Sequence, residues 1–269
     1  MTQINLFVQY INLDRSPDRE VKIRARLADA GFDFQKCVGV DGGNLSWDQL
    51  SFYDEARTIK YMGRKLYKGE IGCYLSHLKA VKAFLETDAE FGLIVEDDLV
   101  VPDGFKRFCL DVCEAARRAY PEWQLINLYR GAGRPFTDFT TLKLGATPHR
   151  FGLAHSFPAS AVALIWSRSG ALNFIEKYST ICAPVDQITK AWMSKAGLGL
   201  GFREPVLLND AEYSVIKAVE GIPQRSSRRV WENVLYDYKQ GARDRRRTLG
   251  AYRSYFKYHF EKFSPSCDF

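Results

Sequence analysis

Glu96, Asp97 and Asp98 are three carboxylates in a row, entered from Gly92-Leu93-Ile94-Val95 and left through Leu99-Val100. Adjacent acids repel one another unless a cation or donor groups offset them. The apolar run before them is too short for a helix and reads as a buried strand. In open α/β sheets, ligands bind at the carboxyl ends of strands. The pattern points to an acidic metal site, with Glu96 and Asp98 on one side because side chains alternate along a strand. A solvated acidic turn, with Asp97 or Asp98 capping a helix, would use the same residues. Glu70 and His77 are two helical turns apart and could line one cleft. They could equally be a first-turn acid favoured by the helix dipole and a half-buried histidine. Asp186, just after Pro184, sits where a helix begins, as a cap or as a reactive acid. Arg130 and Arg134, among glycines, could grip a diphosphate or stand in solvent.

These residues need elements to hold them. Ile4 to Leu13 reads as a first strand, and Ser16-Pro17 as the entry to a helix over about Asp18 to Ala30, stopped by Gly31. A second strand over Phe34 to Val40 makes the opening β-α-β, which implies parallel pairing with helices against a sheet. The turn after the first strand offers backbone N–H groups to a phosphate or part of a nucleotide. It lacks the glycine patterns of dinucleotide and P-loop sites, which also argues against a phosphoryl- or nucleotidyl-transferring protein. Helices are expected at Ser46 to Arg57, Glu70 to Glu86 and Pro102 to Tyr120. Strands are expected at Trp123 to Tyr129, Ser160 to Trp166 and Leu198 to Leu208, with helices opening near Ser167 and Asp186. Gly221-Ile222-Pro223 is the natural boundary between residues 1–220 and a C-terminal segment, 221–269.

The 269 residues, 46% hydrophobic and 26% charged, suit one large globular domain with an appendage. No run approaches a membrane span, and the first residues show no secretory pattern, so a cytoplasmic protein is the default expectation. The six cysteines form no paired Cys-x-x-Cys motif, which favours reduced core thiols over a zinc site. The net charge of +6 is concentrated: Arg225 to Lys262 carries eleven bases against four acids. Aromatic residues from Trp231 to Phe263 lie among those bases. The mix suits an anionic membrane surface or nucleic acid, and a helical pair packed on the core is the alternative.

Taken in order, Tyr10-Ile11-Asn12-Leu13-Asp14-Arg15-Ser16 with Arg19, then Val38-Gly39-Val40-Asp41-Gly42, Gly69-Glu70-Ile71-Gly72-Cys73-Tyr74-Leu75-Ser76-His77 and Leu93-Ile94-Val95-Glu96-Asp97-Asp98 form a recognisable set. The set resembles glycosyltransferase family 25, the lipooligosaccharide-type galactosyl- and glucosyltransferases related to collagen galactosyltransferases. Ser167-Arg168-Ser169-Gly170-Ala171 and Pro184-Val185-Asp186 extend the likeness, which covers about residues 4 to 216. The resemblance implies an α/β, GT-A-like fold: a mixed, mostly parallel sheet flanked by helices, with a helical basic tail. It implies an inverting transfer of a hexose from a UDP-sugar to a saccharide acceptor, lipid-linked in lipopolysaccharide synthesis, at the cytoplasmic face of the inner membrane. Glu96 and Asp98 would then hold Mn²⁺ or Mg²⁺ in a D-x-D-like role. Asn12, Leu13, Asp14, Arg15, Arg19, His77, Glu96 and Asp97 would contact the donor. Asp186, and after it Glu70, would be the base. Leu164 stands where the family usually has tyrosine and Asn209 where glutamine is common, so sugar and acceptor choice stay open. A sugar- or nucleic-acid-binding protein without transferase activity is the competing class.

Overall fold

The computed structural model describes residues 4–209, 245, 246 and 248–259. It opens with β1 (Leu6–Asn12), α1 (Pro17–Asp29) and β2 (Gln35–Val38). β1 pairs in parallel with both β2 and β3 (Phe91–Glu96), as the opening β-α-β pattern implies. The expected helix at Ser46 to Arg57 is not there. Two single 3-10 turns, Gly42–Asn44 and Trp47–Gln49, precede a later helix, α2 (Glu55–Met62). The helix starts late because Asp54 caps it, accepting from the Arg57 N–H at 2.8 Å.

α3 (Lys68–Leu85) leads into β3, a two-residue strand β4 (Leu99–Val100) and α4 (Phe105–Ala119). β5 (Leu125–Gly131) is followed by two long strands, β6 (Gly133–Leu144) and β7 (Thr147–Ser156), in a stretch the sequence patterning leaves unassigned. Arg130 and Arg134 therefore sit where β5 passes into β6, and both are exposed. β8 (Ala163–Ser167), α5 (Arg168–Tyr178), α6 (Val185–Ala196), β9 (Gly199–Phe202) and β10 (Leu208–Asn209) follow. Residues 248–259 form a further helix, α7.

The main sheet has eight strands in the order β2-β1-β3-β8-β5-β9-β7-β6. The expected mixed α/β architecture is present, but the sheet is not mostly parallel as expected: of its seven strand pairings three are parallel and four antiparallel. β8 runs antiparallel between β3 and β5, and β7 is antiparallel to both β9 and β6.

Alternation along β3 divides the core. Phe91, Leu93 and Val95 face α1 and α4, among Ile23, Leu27, Phe108 and Val112. Ile94 faces the other way, among Ile71, Tyr74, Val81 and Phe174 of α3 and α5. Gly92 shares that second face because the Phe84 ring fills the space a side chain would need. By the same period, Glu96 must come out towards α3 and Asp97 towards α1. The boundary proposed near residue 221 lies outside the described residues. α7 is docked on the body: Ala251 is buried, and His155 of β7 stacks edge-on against Tyr255 at 5.3 Å.

Candidate functional site

One cleft opens at the carboxyl ends of β1 and β3. It is lined by Asn12, Leu13, Arg15 and Arg19 from the β1–α1 turn, Asp41 to Gly43 after β2, Cys73, Ser76 and His77 from α3, and Glu96, Asp97 and Asp98. Its enclosed volume is about 160 Å³, below the roughly 300–1,000 Å³ of pockets that engulf a drug-sized ligand. There is room inside for a compact charged group, while a larger ligand must extend across the mouth.

The acid turn is held from both sides, as the alternation requires. Glu96 Oε1 lies 3.2 Å from Nε2 of the fully buried His77 and 3.9 Å from Cys73 Sγ, both on α3. Asp97, itself buried, accepts from Asn12 Nδ2 at 2.8 Å and pairs with Arg19 of α1 at 2.7 Å. Burial pushes the Asp97 carboxyl up, and the Arg19 charge and Asn12 bond oppose that rise. Asp97 thus buckles β3 to the β1–α1 turn. The chain turns at Asp97 and Asp98, so strand alternation does not reach Asp98.

Asp98 is differently placed. Arg19 approaches one of its oxygens at 3.7 Å, and the other, Oδ1, is buried with no hydrogen-bond partner. Burial first, then the Glu96 charge, pushes its carboxyl up to about 6. An orphaned carboxylate oxygen beside a second acid is what a hard divalent cation would satisfy, so these residues fit such an ion. A second donor set overlaps it. Ligand atoms of Cys73, His77 and Glu96 all lie within 4.8 Å of one another. The sequence patterning passes over this trio because Cys73 and His77 are one helical turn apart and Glu96 arrives from another element.

The remaining expected residues fall in three places. Asp14 does not line the cleft: its side chain is 71% exposed and paired with Lys36. Glu70 does not line the cleft: its oxygens are taken by Arg64 at 2.6 and 2.7 Å and by the Tyr67 N–H at 2.9 Å. Asp186 is the second residue of α6, half-buried, and makes no cap bond there; Pro184 is the N-cap residue. Burial pushes its carboxyl up, against the lowering expected from a helix start, and the Glu96 and Glu70 charges add to the rise. The Cys73 thiol is raised by burial and by Glu96, Asp186 and Glu70 in turn. The charges of Glu96, Asp186 and Glu70 thus all act on the Cys73 thiol, and Asp186 is not in the wall of the cleft. Arg15 and Asp41 form an ion pair at 2.6 Å across the mouth, a contact to which the sequence reading gives no role.

A family model described as "Glycosyltransferase family 25 (LPS biosynthesis protein)" matches residues 5–189. Among curated proteins, the chain is 32% identical over 124 residues to procollagen galactosyltransferase 2 of Mus musculus, covering 45% of this chain and 20% of that protein. It is 33% identical over 123 residues to a glycosyltransferase 25 family member of Aedes aegypti, covering 44% of this chain and 20% of that protein. With procollagen galactosyltransferase 1 of Danio rerio the identity is 31% over 128 residues, 45% of this chain and 20% of that protein. The matched part is thus about a fifth of the length of these relatives.

Proposed function

The chain belongs to glycosyltransferase family 25, and on that premise we propose that it moves a hexose, galactose or glucose, from a UDP-sugar to a saccharide acceptor. The observation that carries the reading is the cleft itself. The acid turn and the β1–α1 turn meet there around a buried, unpartnered Asp98 oxygen.

Glu96 and Asp98 would hold Mn²⁺ or Mg²⁺. When bound, such a cation supplies Lewis-acid help to departure of the nucleotide diphosphate. Arg15 and Arg19 put guanidinium groups on the β1 side of the same cleft, where they can orient phosphate oxygens. His77 and Cys73 fix the Glu96 carboxylate from below. Asp186 takes the proton from the acceptor hydroxyl as that oxygen attacks the anomeric carbon. The bond from that carbon to the diphosphate oxygen breaks with inversion. Its raised pKa suits this role, since a base closer to working pH accepts a proton more readily. Glu70 is the weaker candidate, because Arg64 already neutralises it.

The basic, aromatic C-terminal segment supports a lipid-linked acceptor at an anionic membrane surface on the cytoplasmic side. Much of that segment lies outside the described residues. Within them, no helix is long and apolar enough to cross a membrane.

The test is a panel of UDP-sugars, incubated with Mn²⁺ and no acceptor, with release of UDP measured. One or two UDP-hexoses should be hydrolysed, and EDTA should stop it. Turnover undiminished in EDTA would refute the metal role. Absence of both binding and turnover for every nucleotide sugar would refute the transferase.

A further inference from the structure

A groove of about 470 Å³ runs between α6 and α7, away from the acid cleft. Among the described residues, its wall contains Lys195 of α6 with Arg246, Arg253 and Lys257, and no carboxylate. Arg246, Gly250, Arg253, Ser254 and Lys257 fall on one helical face. α7 docks by its neighbouring face, where Ala251 is buried and Tyr255 stacks on His155. A side chain at Gly197, at the end of α6, would meet Ser254 Oγ at 3.3 Å, and above Gly250 there is open space. The cations are left lining the gap.

Several bases elsewhere in the protein are paired. Arg15, Arg19, Arg64, Arg117, Arg150 and Lys36 all reach carboxylates. Among the described residues, Lys195, Arg246 and Arg253 reach none, and they stand exposed. Lys195 is partly explained by the negative end of α6. The two arginines are not, and like charges gathered in one groove repel unless an anion joins them.

We propose that this groove binds a phosphate group, as a monoester or a diphosphate, carried by the acceptor. Only the identity of the carrier rests on the transferase reading; the anion site stands on the groove alone. Guanidinium forks match phosphate oxygens in pairs, and a phosphate monoester brings nearly two negative charges at neutral pH. A groove walled by two helices suits one compact group better than an extended polymer.

The experiment uses the full chain and an arginine-directed reagent, phenylglyoxal, with modified sites mapped by mass spectrometry. Inorganic phosphate is the first probe. Vesicles of phosphatidylglycerol, against vesicles of phosphatidylcholine, are the second. Phosphate should slow modification of Arg246 and Arg253 several-fold while Arg107, exposed on α4, reacts as before. Protection by phosphatidylglycerol alone would assign the anion to a lipid headgroup, and protection by free phosphate to a soluble ester. Lys195→Gln with Arg253→Gln should weaken phosphate binding by about tenfold or more, with UDP-sugar hydrolysis unchanged. Equal protection at Arg107, or none with either probe, would overturn the site. Loss of UDP-sugar hydrolysis in the parent protein would instead count against the transferase reading and leave the groove standing.

Discussion

Asp98 and Asp97 are neighbours in sequence with opposite roles. Asp97 is enclosed by Asn12 and Arg19, whereas Asp98 keeps a buried oxygen without a donor. Asp98→Asn should therefore abolish Mn²⁺-dependent UDP-sugar turnover without unfolding the protein. Its stability effect has a definite sign. The folded-state value near 6 lies above the ordinary 3.8, so the ionised side chain weakens the metal-free fold fully above about pH 6. That penalty fades as the pH falls towards the ordinary value, because the folded form takes up the proton first. At pH 7 the metal-free variant should be as stable as the parent or more so, by about 1–2 kcal/mol. A marked drop in its melting temperature would mean that Asp98 is a structural acid. Asp186→Asn should lower kcat by about 10²–10⁴-fold with donor affinity largely kept. In the parent, the acid limb of the rate profile should lie above the usual carboxylate range, because burial raises Asp186. A variant retaining more than about a tenth of kcat would move the search for the base elsewhere. The acid run was legible in sequence because three adjacent acids after an apolar strand are uncommon and costly. The partners of Glu96 were not, since Cys73 and His77 meet it only through packing.

At the scale of elements, the cleft depends on how closely α3 approaches the chain after β2. Gly72 touches that chain directly: a side-chain carbon there would collide with the Val40 carbonyl and come within 2.8 Å of the Gly42 nitrogen. Ser76, one turn on, accepts from the Val40 N–H at 2.8 Å. Gly72→Ala should cost about 1–3 kcal/mol, since backbone must move to admit the methyl group. It should also weaken UDP binding, because Asp41 to Gly43 line the cleft. A melting curve and a UDP titration check both. An unchanged UDP affinity would show that the cleft does not depend on this contact. α1, α3 and α5 were legible from their start residues and apolar spacing, although Ser16 makes no side-chain cap bond on α1. Ser167, for instance, accepts from the Gly170 N–H as its sequence position suggests. The stretch before α2 misleads because Trp47 and Leu50 are spaced as on a helix, yet Asp54 forms the stronger start signal. β6 and β7 escape notice because their alternation is broken by extra residues, and the reversal is made at Gly145, with φ +58°.

Across the whole molecule, α7 is tied to the sheet through histidines. His155 Nδ1 lies 3.0 Å from Ser254 Oγ, and its Nε2 lies 2.9 Å from Thr137 Oγ1, which is also 3.2 Å from His259 Nε2. Burial first, then the neighbouring His259, pushes His155 down to about 4 from the ordinary 6.5. Between those values the unfolded chain binds the extra proton and the folded one does not. Stability should therefore fall as the pH drops from about 6.5 towards 4, with a ceiling of about 3 kcal/mol from this group. His155→Gln should flatten that slope in thermal melts taken across the range. An unchanged slope would assign the acid sensitivity to other groups. The two ends of the sheet carry a different consequence. β2 ends it after only four residues, Gln35–Val38. β6 ends it with register shifts against β7 and with Arg134, Pro135, Asp138 and Lys143 along its length. Among the described residues, neither border offers a long, flat, regular row of peptide groups, which is the template on which two copies zip together into fibrils. Concentrated solutions of this protein should resist that kind of clumping, and removing the surplus residue at Phe139 should bring it on.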